Sequence, residues 1–169
     1  MSPLLPIDRF VHTLAIVYKE GAHLTYSWQR LYKNEIDAAW VIALNQNPET
    51  AEQLDAFTSR FGRMQDTIAD KLLPRWLQAQ AEKTGSQIEV LNRAERLGVI
   101  ESVEHWLEAR KLRNRLVHEY MESAEDFSED FNLAKDYSLM LIRTYNQLQE
   151  YSAQRMNIDI NTLPVVIAE

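Results

Sequence analysis

The fold is decided by the stretch LDAFTSRFGRMQDTIADKL, residues 54–72. Its apolar residues recur at steps of three and four, which places them on one face of an α-helix. The pattern predicts a long helix from about Glu49 to Glu82 that packs one face against a core. Pro74 lacks an amide donor and is expected to kink or break this helix. Gly62 lowers the stability of this helix by about 1 kcal/mol relative to alanine. Its presence is either a tolerated loss of stability or a sign of close helix–helix approach.

Further helices are predicted on both sides of this stretch. They span about Ile7 to Tyr32 (with Gly21 expected to interrupt or bend the helix), Ile36 to Leu44, Gln87 to Leu97, Ile100 to Tyr120, and Ala124 to Arg155. No segment shows a convincing strand pattern. The sequence therefore predicts an all-α, up-and-down bundle of five or six helices. Residues 1–155 are expected to form one domain, and residues 156–169 a C-terminal tail that lies extended against the body or a partner.

Composition narrows the class of protein. The 169 residues are 46% apolar and 25% charged, as in ordinary soluble domains. Cysteine is absent, which excludes disulfides, thiolate–metal sites and cysteine nucleophiles. No apolar run reaches the length of a membrane span or a signal peptide, so a cytoplasmic protein is expected. The net charge of −7 argues against nucleic acid as a partner unless a local basic patch exists.

Such a patch surrounds the polar motif Leu112–Tyr120, LRNRLVHEY. Its cations, all candidates for contact with RNA, are Arg110, Lys111, Arg113 and Arg115. The alternative is a solvated helix face on which these cations pair with Glu108 and Glu119.

Spacing within the motif poses a geometric problem. Asn114 and His118, four residues apart, share a helix face, whereas Arg113 and His118 lie about 140° around and about 7.5 Å along the axis. The guanidinium and imidazole therefore meet only if the arginine wraps round, the helix ends, or a second copy of the segment supplies the missing group.

The residue types in the motif suit RNA cleavage without a metal. Histidine moves protons near neutral pH, and arginine grips phosphate oxygens while staying charged. Asn114, one turn before His118, could orient the imidazole, and the 2′-hydroxyl of RNA could serve as nucleophile. The competing interpretation is a helix end at which Arg113 and His118 pair with nearby carboxylates. A di-iron site is disfavoured because Glu20-x-x-His23 is the only pair with the required spacing.

The segment Arg113–Tyr120 resembles the Arg-x4-His-x-Tyr motif of HEPN domains, in the form typical of HepT-like toxins. The likeness extends to the segments at residues 59–66, 71–74, 92–98 and 104–110, and covers roughly residues 50 to 150. Members of this family pair with minimal nucleotidyltransferase (MNT) antitoxins.

The resemblance implies a helical bundle that dimerises through its motif helices and acts as a metal-independent endoribonuclease toxin, with no cofactor. Arg113 would hold the scissile phosphate, His118 would be the acid/base, and Asn114 would support them. Tyr120 would receive AMP from the cognate nucleotidyltransferase, which would block the cleft.

Other interpretations stay open. Arg60, Arg63 and Asp66 are candidates to line the cleft, or to form a structural ion-pair network. The chain could also be a non-catalytic HEPN protein that binds nucleotide or acts as a scaffold for the transferase. A third possibility is a bundle whose polar motif only stabilises a dimer.

Overall fold

The computed structural model describes residues 5–119 and 122–169, and most of these residues lie in helices. The helices are α1 (Pro6–Leu31), α2 (Ala38–Ala43), α3 (Pro48–Thr67), α4 (Leu73–Ala79), α5 (Gln87–Arg96), α6 (Val103–Glu119) and α7 (Ala124–Arg155). A π-helical segment, Ile68–Leu72, joins α3 to α4, and 3-10 turns occupy Leu44–Gln46 and Ile160–Thr162. No β-strand occurs in these residues. Since α3, the π segment and α4 are continuous, the chain has six helices here, and the all-α prediction is confirmed.

The four long helices form a closed ring in which each neighbour runs antiparallel. Between α1 and α3, Glu20 contacts Thr67 at 2.9 Å and Ser27 contacts Arg60 at 2.6 Å. Residue numbers therefore rise along α1 in the direction in which they fall along α3. Residue contacts show the same antiparallel direction in the other three pairs. Between α3 and α6, Gln65 contacts Ala109 and Gly62 contacts Arg113. The corresponding contacts are Arg115 with Asp130 and His105 with Tyr137 between α6 and α7, and Trp28 with Lys135 and Tyr18 with Tyr145 between α1 and α7. This is the up-and-down bundle that the apolar spacing predicts.

An aromatic cluster fills one end of the core. Phe131 of α7 stacks on Tyr32 with ring centroids 4.8 Å apart and meets the edge of Phe57 at 5.2 Å. The buried Tyr32 hydroxyl donates a hydrogen bond of 2.5 Å to the carbonyl of Phe131. Burial, with a contribution from Asp136, raises the pKa of this phenol well above its ordinary value, so it remains a donor. The cluster joins α1, α3 and α7 at one level of the bundle.

Pro74 does not break the long helix. The π segment Ile68–Leu72 lies directly before it, and the amide of Leu73 bonds to the carbonyl of Ile68, one residue further back than in an α-helix. Proline disturbs an α-helix because its ring meets the carbonyl four residues earlier. The wider turn gives that carbonyl room. The helix therefore continues through Pro74 to Ala79.

Gly21 does not interrupt α1 either. It lies within the continuous helix Pro6–Leu31 and is buried. A Cβ at this position would stand 2.5 Å from Cδ1 of Ile167, so the glycine makes room for the tail. The tail packs against α7. The Asn146 side chain donates a 2.9 Å hydrogen bond to the carbonyl of Ile167 and accepts a 2.8 Å hydrogen bond from the Ile167 amide. The Tyr145 hydroxyl donates a 2.7 Å hydrogen bond to the carbonyl of Val165.

None of the helices in the described ranges is long and apolar enough to cross a membrane.

Candidate functional site

A groove of about 580 Å³ runs between α3 and α6. The exposed face of α3 and the π segment form its floor, α6 forms one wall, and α7 closes one end. The lining residues are Leu54, Asp55, Thr58, Ser59, Gly62, Arg63, Asp66, Thr67, Asp70, Lys71, Arg113, Leu116, Val117 and Phe127. Two parts of the sequence that are far apart, the stretch that decides the fold and the motif helix, thus meet along this groove.

Arg113 lies across the floor of the groove. Its Nη1 donates to Oδ1 of Asp66 at 2.5 Å, and its side chain keeps 32% of its exposure. The side chain passes directly over Gly62, where a Cβ would stand 2.6 Å from Nε. An ion pair this exposed contributes about 0–1 kcal/mol, so its main effect is to direct the guanidinium. Gly62 lets the Arg113 side chain pass close to the backbone of α3. The close approach at this glycine is therefore made by a side chain and not by the backbone of another helix.

Charges along the groove are balanced. Arg63, Lys71 and Arg113 provide three cations, and Asp55, Asp66 and Asp70 provide three anions. Asp70 accepts a 2.5 Å hydrogen bond from Gln87 of α5. The groove can therefore hold one phosphate against a positioned guanidinium, but its net charge supplies no general attraction for nucleic acid.

Glu20 of α1 lies behind the floor of the groove. Its Oε2 accepts a 2.9 Å hydrogen bond from the hydroxyl of Thr67, while its buried Oε1 has no hydrogen-bond partner among the residues that the structure describes. Burial raises the pKa of this carboxyl, and the Thr67 hydrogen bond and nearby Arg63 oppose part of that rise.

His118 and Asn114 lie apart from the groove. Both side chains are exposed near the end of α6, and neither is among the described residues that line the groove. No hydrogen bond joins Asn114 to His118 among the contacts of the described residues. Tyr120, the expected site of modification, lies outside the described residues. The structure thus brings Arg113, Arg63 and Asp66 together and leaves His118 on the outer surface of the same helix.

The remaining cations of the motif helix have partners in different directions. Arg110 donates to Oε1 of Gln87 in α5. Arg115 donates through Nε and Nη2 to both carboxylate oxygens of Asp130, at 3.1 and 3.2 Å. Lys111, 69% exposed, lies 3.8 Å from Glu108. The basic cluster of the sequence is therefore spread around α6 rather than gathered on one face.

Arg60, which the sequence groups with Arg63 and Asp66 as a candidate to line the cleft, does not line this groove. Its Nη1 donates to Oγ of Ser27 at 2.6 Å and to the carbonyl of His23 at 3.2 Å, both in α1. At about 100° per residue, positions 60 and 66 lie about 120° apart around the helix. Arg60 consequently faces α1 while Asp66 faces α6.

Motif reasoning found Asp66 but missed Asp55, Ser59 and Asp70, which also line the groove. Asp55, Ser59, Gly62, Asp66 and Asp70 follow one another at steps of three or four and form a stripe of polar and small residues on α3 and the π segment. This stripe lies beside the apolar one and has the same helical period. The signal was present in the sequence, but nothing in it says which other helix the stripe faces.

Comparison of the chain with protein-family models, curated proteins and solved structures finds no match. Among the residues that the structure describes, no group of three or more His, Asp or Glu side chains could hold a metal ion.

Proposed function

We propose that this chain is a metal-independent endoribonuclease of the HepT-like toxin type that works as a homodimer. In this proposal Arg113 holds the scissile phosphate, His118 transfers protons, and Asn114 supports them. A nucleotidyltransferase antitoxin neutralises the enzyme by attaching AMP to Tyr120.

The observation that carries this proposal is the position of Arg113. Its guanidinium is held in an open groove by Asp66, over a glycine that leaves room for it. Only Nη1 is engaged by Asp66, so the other donors of the fork are available to phosphate oxygens. A cation positioned before the substrate arrives stabilises developing negative charge at low reorganisation cost.

The proposed reaction uses the RNA's own nucleophile. An imidazole removes the proton of the 2′-hydroxyl as O2′ bonds to phosphorus, and the bond from phosphorus to O5′ breaks. The leaving O5′ takes up a proton, which gives a 2′,3′-cyclic phosphate and a 5′-hydroxyl end. Arg113 stabilises the negative charge that builds on the phosphoryl oxygens.

The proposal of a dimer rests on the separation of the two groups. Arg113 turns toward α3 and is half-buried, whereas His118 is exposed near the end of α6. In a single chain, therefore, only Arg113 of the two lines the groove. Two copies whose motif helices meet would join Arg113 of one chain to His118 of the other.

RNA cleavage by purified protein in the presence of EDTA tests the proposal. We expect wild type, confirmed by mass spectrometry to be unmodified at Tyr120, to cut RNA and to arrest growth when expressed. His118→Ala should reduce the cleavage rate at least about 100-fold, since a positioned acid/base contributes that much. Arg113→Lys should remain well below wild type because lysine lacks the fork geometry.

Matched controls exist in the chain. His105→Ala removes another exposed histidine of α6. Arg93→Gln removes another ion-paired arginine, which lies 2.9 Å from Glu82. Both variants should cleave like wild type. Intact RNA after incubation with unmodified wild type would contradict the proposal.

A second candidate function is a non-catalytic HEPN protein that binds nucleotide or assembles with a nucleotidyltransferase. The balanced charge of the groove and the net charge of −7 favour it. In that case wild type would leave RNA intact and still form a stable complex with the transferase.

A further inference from the structure

A second depression, of about 400 Å³, lies on the other side of α3 from the groove. It is formed by α1 and α3, and we call it the basin. Its lining residues are Ile16, Lys19, Glu20, His23, Arg60 and Arg63. No residue of the motif helix takes part in it.

The basin is positively charged on a negatively charged protein. Lys19, Arg60 and Arg63 oppose a single carboxylate, that of Glu20, while the whole chain carries −7. Among the side chains that the structure describes, no carboxylate forms an ion pair with any of these three cations. By contrast, Arg113 of the motif helix is paired with Asp66.

The basin and the groove are adjacent because Arg63 lines both. Its side chain is exposed, and among the described residues this side chain makes one hydrogen bond, a long contact of 3.4 Å with the hydroxyl of Ser59. A strand bound at Arg113 can therefore continue across Arg63 to Lys19. Proteins that bind single-stranded nucleic acid follow the backbone with cations in this way.

Resting on the proposed function, we propose that the basin binds a further backbone phosphate of the RNA strand that is cut, with Lys19 and Arg63 as its main cations. The basin then supplies the electrostatic attraction that the charge-balanced groove lacks. Glu20 opposes this binding and limits its strength.

The path ends at the basin. Arg60 also lines a third depression, with Tyr26, Arg30, Glu49 and Glu52. There two arginines face two glutamates, so the charge is balanced. Tyr26 is exposed, but Arg30 covers its ring at 5.5 Å from the centroid.

Equilibrium binding of a fluorescent 2′-O-methyl oligonucleotide tests the inference, because this probe lacks the 2′-hydroxyl and is not cut. Lys19→Gln should raise Kd about fivefold and reduce the slope of log Kd against log[salt] by about 0.7, the value for one phosphate contact of a single strand. Glu20→Gln should lower Kd instead, and keeps an acceptor for Thr67. Lys83→Gln, a change at an exposed lysine outside the groove and the basin, should bind like wild type.

The outcomes separate this inference from the proposed function. If wild type cuts RNA and binds the probe, but Lys19→Gln has the same Kd and salt slope, the basin is not a phosphate site and the function stands. If wild type neither cuts RNA nor binds the probe, both fail. ATP alone serves as a second probe: Lys19-dependent binding of ATP without binding of the oligonucleotide would overturn the assignment to a polynucleotide.

Discussion

The position of the Arg113 guanidinium depends on the lack of a Cβ at Gly62. The arginine reaches Asp66 only by crossing α3 at Gly62, where Nε comes within 2.6 Å of the place a Cβ would occupy. The nearest atoms belong to the flexible end of one partly exposed side chain, so an added methyl would displace the arginine rather than the helices.

Gly62→Ala should therefore separate activity from stability. Alanine favours the helix by about 1 kcal/mol, so we expect an unchanged or slightly higher melting temperature. The Arg113 side chain must turn away from Asp66, and RNA cleavage should fall at least about tenfold through loss of a preorganised cation. Thermal denaturation and cleavage rates measured on the same preparation test this. Wild-type cleavage by this variant would mean that the position of Arg113 in the groove is irrelevant to activity.

Glu20 makes a separate prediction about pH. Burial raises the pKa of its carboxyl in the folded protein, so charging it opposes folding as pH rises above the ordinary value of about 4.3. Glu20→Gln removes this penalty. At pH 7 the free energy of unfolding should be higher for the variant than for wild type. The difference should be less than about 1 kcal/mol because the carboxyl group is only partly buried. The difference should vanish below about pH 4, and urea titrations across pH would detect it.

Among the helical elements, the junction of α1 with the tail depends on Gly21. A Cβ there would meet Cδ1 of Ile167 at 2.5 Å, Cε of Met64 at 3.1 Å and Cδ1 of Ile142 at 3.3 Å. Three side chains from α3, α7 and the tail converge on this point. Unlike the surroundings of Gly62, they are buried, and none can turn out into solvent without exposing apolar area.

Gly21→Ala should consequently destabilise the protein although alanine favours helices. Overpacking of a filled core costs about 1–3 kcal/mol, which outweighs or offsets the helix gain of about 1 kcal/mol. We expect a lower melting temperature and partial recovery in the double variant Gly21→Ala/Ile167→Val, because the shorter side chain vacates the space. Equal or greater stability of the single variant would show that the tail does not depend on this contact.

In the whole molecule, the four-helix ring leaves the motif helix between α3 and α7, with its end at the surface. Arg113 faces the groove and His118 faces outward. A symmetric pair in which the motif helices meet would create two equivalent composite sites, each with Arg113 from one copy and His118 from the other.

Subunit complementation tests this arrangement. Arg113→Ala and His118→Ala carrying different tags are co-expressed, and the mixed dimer is purified through both tags. One of its two sites then keeps both groups, so its activity should be about half that of wild type, while each variant alone is inactive. A mixed dimer as inactive as its parents would mean that the two groups act within one chain, and failure to recover any dimer would contradict the homodimer itself.

Local patterns in the sequence suffice for the elements. Apolar residues at steps of three and four predict the long helices, and the last helix is observed at Ala124–Arg155, as predicted, with Ser123 capping its first turn. These features succeed because they depend on residues within one or two turns of each other. Gly21 and Pro74 misled local reasoning because their tolerance depends on the tail and on a π turn, respectively.

The contacts of the candidate site, by contrast, do not follow from local patterns in the sequence. The sequence identifies Arg113 and His118 as chemically suited residues and leaves several directions open for the arginine. Asp66, which sets that direction, is 47 positions away, and Lys19 lines the same basin as Arg63 because α1 packs beside α3. Helical period and residue type are local properties of the chain, whereas the partner that a side chain meets depends on which helices the core brings side by side.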